Sequence, residues 1–157
     1  MKKSAVKLFF FFTFVVAFSL FVNAQTISVS GSIEKKSVKR GKTGKGLIIL
    51  SIPKELHINS NKPTSEFMIP TEVTMSSKEA KNLKVLYPKG KNRKFDFSEE
   101  AINVYEGKTI ISITFSIPKI LKNKTINIRV LVSYQACTNE VCYQPQKKEI
   151  ILKGLIK

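Results

Sequence analysis

The stretch Thr125–Ala136 alternates without a break. Ile126, Ile128, Val130 and Val132 are interleaved with Asn127, Arg129, Leu131 and Ser133. Successive side chains of an extended chain point to opposite faces, so this period of two describes a strand with one face in a core. A helix would need apolar residues every three or four positions, and almost no such pattern follows residue 25. The same strand grammar recurs in β-branched runs bounded by Gly, Pro, Asn and Lys. Thr26–Ile33 reads as a first strand, Glu34–Gly46 as a basic connection, and Leu47–Ile52 as a short strand stopped by Pro53. Leu56–Pro63 reads as turn, Pro70–Met75 as strand, Ser76–Lys81 as one helical turn, and Val85–Tyr87 as a short strand ended by Pro88. Lys89–Glu99 reads as a basic loop. Ile102–Tyr105, the turn Glu106-Gly107 and Lys108–Ser116 read as a hairpin; Pro118–Lys124 connects to Thr125–Ala136, and Lys148–Leu152 closes the domain. About eight short strands with turn signals every 8–12 residues predict an all-β fold, an immunoglobulin-like antiparallel β-sandwich.

The first 24 residues obey a different rule. Lys2, Lys3 and Lys7 precede an apolar run, Leu8–Val22, broken only by Thr13 and Ser19, and Val22-Asn23-Ala24 places small residues where a signal peptidase cuts. The run is shorter than the roughly 20 apolar residues that span a bilayer. Met1–Ala24 is therefore read as a signal peptide, and Gln25–Lys157 as an exported β-sandwich domain with no stable membrane insertion after cleavage. Roughly 130 residues bury enough surface to fold without metals or a dense disulfide framework.

The chain carries a formal charge of +16. In a cytosolic protein that balance would suggest nucleic acid. Here the excess is nearly all Lys, spread over loops and alternate strand positions, with clusters at Lys35–Lys42 and Lys89–Lys94. No aromatics interleave with them for base stacking, and export removes the nucleic acid. A solvated surface with loose affinity for anionic partners is the reading taken.

Cys137 and Cys142 are the only cysteines, in Tyr134-Gln135-Ala136-Cys137-Thr138-Asn139-Glu140-Val141-Cys142-Tyr143-Gln144-Pro145. A strand enters the first and a Pro-bounded segment leaves the second, so the pair sits across a hairpin tip. Export exposes both to an oxidising environment in which they can pair. A bond closing so short a loop removes little unfolded-state entropy, on the order of 2 kcal/mol. Exposed disulfides between neighbouring strands tend to be the reducible ones. Spacing alone leaves two readings open: a staple that stiffens the hairpin, or a redox pair. Two Cys and one distant His, His57, fall short of the about four ligands a metal site needs, and nothing in the sequence points to a cofactor.

Beyond the spacing, Tyr134-Gln135-Ala136-Cys137 and Cys142-Tyr143-Gln144-Pro145 resemble the active-site hairpin of the N-terminal periplasmic domain of DsbD, the thiol:disulfide interchange protein. Ile52-Pro53, His57–Pro63, Phe67-Met68-Ile69-Pro70-Thr71, Tyr87-Pro88 and Val104-Tyr105-Glu106-Gly107 are similar to that family's motifs and follow its order. The resemblance implies an immunoglobulin-like sandwich. It implies a Cys137/Cys142 dithiol that takes electrons from a membrane thiol electron transporter and passes them to thioredoxin-like periplasmic proteins. It also implies that Cys142 bonds to partners while Cys137 resolves, and that the loop bearing Phe95 and Phe97 caps the pair. His57 and Asn59 stand where some members carry aromatics beside the site, and Tyr134 and Tyr143 flank the cysteines. The C-x₄-C spacing is one residue shorter than the C-x₅-C of the best-known members.

Other chemistries lack their parts. Ser-His-Asp hydrolysis would need His57 with Asp96 and an unmarked Ser, with no G-x-S-x-G. Glu99 and Glu100 are adjacent and point apart on a strand, unlike a glycosidase pair. Two functions remain: a periplasmic electron carrier of the protein-disulfide reductase type, or a non-catalytic secreted binding or adhesion module whose disulfide is structural.

Overall fold

A computed structural model of the chain describes residues 26–65 and 67–157. The expected signal peptide, Met1–Ala24, lies outside the described residues. Those residues form three sheets and no helix. The first sheet holds β1 (Ser28–Ile33), β3 (Thr43–Ser51), β9 (Lys108–Ser116) and β6 (Lys81–Leu86), in the order β1-β3-β9-β6. The second holds β2 (Ser37–Val38), β12 (Gln146–Ile156), β10 (Thr125–Tyr134) and β5 (Glu72–Ser76), in the order β2-β12-β10-β5. All their pairings are antiparallel except β2 with β12. This is the expected all-β, immunoglobulin-like sandwich.

The core follows from the alternation. In β10, Ile126, Ile128, Val130, Val132 and Tyr134 are buried, and they meet Ile48 and Leu50 of β3 and Ile111, Ile113 and Phe115 of β9. Apolar side chains of two facing sheets interdigitate in this way.

The third sheet is small and carries the cysteines. Its order is β11 (Ala136–Cys137), β4 (His57–Asn59), β8 (Ile102–Tyr105) and β7 (Lys91–Arg93). It is stitched into the end of the sandwich. β3 leads into β4, β8 leads out to β9, and β10 leads into β11, so the chain repeatedly switches sheet there. Ile58, Tyr105 and Ala136 point from it into the main core.

Several expectations are corrected here. Ile102–Ser116 is not a hairpin: β8 pairs with β4 and β7, while β9 pairs with β3 and β6. A tight two-residue hairpin of the favoured type needs positive φ at both central residues, and only Gly107 has it, at φ 60°. Glu106-Gly107 is therefore a corner between sheets. Thr125–Ala136 likewise is not one strand; it changes sheet at Gln135. Glu34–Gly46 is more than a connection, containing β2 and the start of β3. Gly44 disguised that strand: the Phe115 ring occupies the space a Cβ at Gly44 would fill. Ser76–Lys81 holds no helical turn. Ser77 Oγ instead accepts hydrogen bonds from the amides of Glu79 (3.2 Å) and Ala80 (3.1 Å), forming a bend. Leu56–Pro63 and Lys89–Glu99 each contain a strand, β4 and β7.

Candidate functional site

The cysteine hairpin is built by its backbone. Thr138 N–H donates to Val141 C=O (2.8 Å) and Tyr143 N–H to Ala136 C=O (2.8 Å), which leaves Cys137 and Cys142 directly opposite between the two bonds. Such a non-hydrogen-bonded pair brings side chains closest. The two Cα atoms are 4.0 Å apart and the sulfurs are joined. Thr138 Oγ1 closes the tip by accepting from the amides of Glu140 (3.2 Å) and Val141 (3.1 Å). The two cysteines differ sharply in access: Cys137 is fully buried and Cys142 is half-buried. Val141 and Tyr143, the neighbours of Cys142, are exposed.

The pairing register extends this row across the third sheet. Cys137 is opposite His57 in the β11–β4 ladder. His57 and Glu106 each follow the last pair of the β4–β8 ladder, Ile58–Tyr105, and the Glu106 carboxylate acts on the His57 ring electrostatically. Residues directly opposite in a ladder share a face, so Cys142, Cys137 and His57 form one transverse row, with Glu106 near its His57 end. Ile58, between His57 and Asn59, points the other way into the main core. β4 is thus buried on both faces, with all three of its residues buried.

The covering on the outer face is the loop after β7. Phe95 is buried and stacks on His57, with ring centroids 4.1 Å apart and planes 10° from parallel. Phe97 stacks in turn on Phe95 at 5.4 Å and remains 38% exposed. Phe95 also packs with Ile102, Val104 and Met68 in a small apolar cluster separate from the main core.

The electrostatics follow from that burial. Desolvation lowers the His57 pKa from its ordinary value, and the nearby Glu106 carboxylate opposes the shift more weakly. Among the described residues, His57 Nε2 is buried and has no hydrogen-bond partner. Glu106 is held by Arg93, whose Nε and Nη2 donate to its two carboxylate oxygens at 3.0 and 2.9 Å; Lys91 Nζ is 3.6 Å away. These cations keep the Glu106 carboxyl below the usual carboxylate range, the Arg93 hydrogen bonds contributing most. A cleft of about 270 Å³ joins this group to the hairpin tip, lined by Arg93, Lys94, Phe95, Asp96, Glu106 and Asn139.

The remaining expected residues have supporting places. Asn59 Nδ2 donates to Ile69 C=O (2.9 Å) and to Gln135 Oε1 (3.4 Å). Gln135 Nε2 donates onward to Tyr143 C=O (3.1 Å), so Asn59 reaches the outgoing arm of the hairpin through Gln135. Tyr134 belongs to the main core, with its hydroxyl donating to Gln146 Oε1 (3.2 Å). Tyr143 contributes its backbone to the hairpin, while its ring is 49% exposed. Gln135, Glu106 and Met68 escaped sequence reasoning as site residues. Gln135 sat inside an apparent strand and Glu106 inside an apparent hairpin turn; their side-chain hydrogen bonds and ion pairs in the folded chain reveal them.

Among the described residues, no cluster of three or more His, Cys, Asp or Glu side chains is placed to hold a metal ion. Among them, too, no helix is long and apolar enough to cross a membrane.

Comparison with known proteins locates the chain. No curated protein sequence matches it. Its structure is similar to the N-terminal periplasmic domain of ScsB from Proteus mirabilis, with a TM-score of 0.57 and 11% identity, covering 82% of this chain and 48% of that one. The chain thus spans about half the length of that structure, and the likeness is one of fold. The N-terminal domain of Neisseria meningitidis DsbD in its reduced form also matches, at a TM-score of 0.45 and 15% identity, over 81% of this chain and 85% of that one. Residues 25–154 match the family model described as "Thiol:disulfide interchange protein DsbD, N-terminal". With the match running through both arms of the cysteine hairpin, the chain belongs to the DsbD N-terminal domain family.

Proposed function

We propose that this chain is an exported, periplasmic thiol–disulfide exchange module. It relays electrons through Cys137 and Cys142 from a membrane thiol electron transporter to thioredoxin-like periplasmic oxidoreductases. Met1–Ala24 is its export signal and Gln25–Lys157 its working domain. The observation that carries this reading is the unequal exposure of the two bonded cysteines, with Cys142 half-buried and Cys137 fully buried.

The chemistry follows from that asymmetry. In the dithiol state, the Cys142 thiolate attacks one sulfur of a partner's disulfide. A mixed disulfide forms and the partner's other sulfur leaves as a thiolate. Cys137 then attacks Cys142 Sγ; the Cys137–Cys142 bond forms, the bond to the partner breaks, and the partner leaves as a dithiol. Two electrons pass to the partner, and the module is left as the disulfide that the membrane transporter must reduce. Phe95 and Phe97 act as the cap that limits access to the sulfurs until a partner docks. The family membership supports the class of chemistry, and the hairpin geometry supports the division of roles.

A trapping pair tests it. Cys137→Ala should leave Cys142 able to capture a periplasmic thioredoxin-like protein as a covalent adduct released by reductant, and Cys142→Ala should capture little. Equal capture by both variants would overturn the role of Cys142. Capture by neither, in folded protein, would instead support a structural disulfide in a binding module.

A further inference from the structure

We propose that His57 is the proton acceptor for the buried Cys137 thiol in the resolving step. The proposal rests on the exchange-module reading and assigns a role that the reading leaves empty. Cys137 is fully buried, and burial disfavours a thiolate. Yet Cys137 must become a thiolate to attack the Cys142–partner bond. A group beside it has to take the proton.

The register supplies one. His57 is directly opposite Cys137 on the same face of the ladder. Its Nε2 is buried without a partner in the disulfide state, and leaving a buried polar atom unpaired is costly. The disulfide offers it no donor; a reduced Cys137 does. The orphaned nitrogen is thus explained if its partner exists only when the bond to Cys142 is open. The Phe95 stack fixes the ring from the other side, leaving it little freedom to seek solvent.

Charge around the ring fits a proton acceptor. Phe95 and the apolar cluster desolvate it, which keeps the imidazole neutral near pH 7. The groups that face it are Cys137 from β11, Glu106 from the corner after β8, and Phe95 from the cap loop. Glu106 favours the protonated ring, but Arg93 and Lys91 of β7 already bind its carboxylate. Lys94 and Asp96 of the cap loop stand at the cleft beside Phe95 with opposite charges. The imidazolium formed after proton transfer therefore has one nearby carboxylate, Glu106, which it shares with Arg93 and Lys91.

In the step itself, the Cys137 Sγ proton passes to Nε2 of a ring that carries its own proton on Nδ1. The thiolate pair attacks Cys142 Sγ, the Cys137–Cys142 bond forms, and the partner's sulfur leaves as a thiolate. The imidazolium then returns its proton to that sulfur or to water.

The test uses the reduced protein and 5,5′-dithiobis(2-nitrobenzoate). Attack by Cys142 releases one thionitrobenzoate and leaves a mixed disulfide, and attack by Cys137 releases the second. His57→Phe keeps the ring stack and removes the nitrogen. It should leave the first release unchanged and slow the second about 100-fold at pH 7, the scale of a positioned general base. The wild-type second release should level off above about pH 6.5, where an imidazole is neutral, whereas the variant's should keep rising with pH. A second release in His57→Phe that matches wild type in rate and pH profile would overturn the proposal. His57→Gln, which can accept a hydrogen bond but not a proton, should behave as the Phe variant; a normal rate there would also overturn it. Should both variants misfold, ¹⁵N NMR of the wild-type ring decides: the Nε2 resonance should move on reduction of the disulfide, and an unmoved resonance would overturn the role. These reactions need no protein partner. A chain that gives the two releases as described but traps no oxidoreductase would fail the exchange reading and leave the His57 result intact.

Discussion

His57 couples the site to the stability of the domain through its proton. Burial lowers its folded pKa below the ordinary 6.5, so the unfolded chain binds the proton more readily. The stability tied to the neutral ring is whole above pH 6.5 and is lost as pH falls from there towards the lower folded value. Glu106 acts in the same direction at lower pH, because its folded pKa lies below 4.5. Urea midpoints at pH 7.5 and 5.5 therefore isolate His57: the wild-type midpoint should fall with acidification, and His57→Phe should lose most of that fall. An undiminished fall in the variant would place the acid sensitivity elsewhere. Gln135 is a second residue whose weight exceeds its place in the sequence, since it links Asn59 to Tyr143 C=O. Gln135→Ala should cost about 1 kcal/mol, the scale of a hydrogen bond lost, and should speed amide exchange at Tyr143. The family resemblance places His57 beside the site in the sequence, whereas nothing there marks Gln135 as a link. β4 is only three residues long and buried throughout, too short for a period of two to be read from the sequence.

Among the elements, legibility followed one-sidedness. β10 was legible because one face meets the core and the other meets solvent, and its alternation survives intact in the structure. β7 was not, since Lys91-Asn92-Arg93 is exposed throughout and is a strand only through its pairing with β8. The hairpin of the two cysteines was legible because a strand, a polar tip and a Pro-bounded exit are local features. The Glu106-Gly107 corner was misread because local turn signals do not say which sheet the next strand joins. The cap loop divides its work between two rings. Phe95 is buried in a cluster with Ile102, Val104 and Met68, so Phe95→Ala should cost about 3 kcal/mol, as large-to-small changes of buried Phe do. Phe97 lies outermost in the stack and partly exposed, so Phe97→Ala should cost little stability. It should still speed alkylation of the reduced cysteines by a small reagent several-fold, by opening the cover over the site. An unchanged alkylation rate in folded Phe97→Ala would remove the cap from the account.

At the scale of the whole molecule, two sheets enclose the main core and a third, joined along the chain to strands of both, presents the chemistry at one end. Frequent sheet switching there explains how a sandwich core can support a site whose outer face is polar: Ile58, Tyr105 and Ala136 anchor the small sheet in the core, while Cys137 and His57 sit on its far side. Export is the other whole-chain property of the account. Protein secreted from a Gram-negative host should begin at Gln25 by mass spectrometry, and an intact Met1 in the membrane fraction would contradict a periplasmic module. The central claim is that the Cys137–Cys142 bond is made and broken in use, and its reduction potential tests that most directly. Equilibration of the mature protein with glutathione or dithiothreitol buffers should give a value near about −200 mV, in the range of exchange proteins. A value below about −300 mV, where structural disulfides of secreted proteins lie, would contradict the account and make the bond a staple.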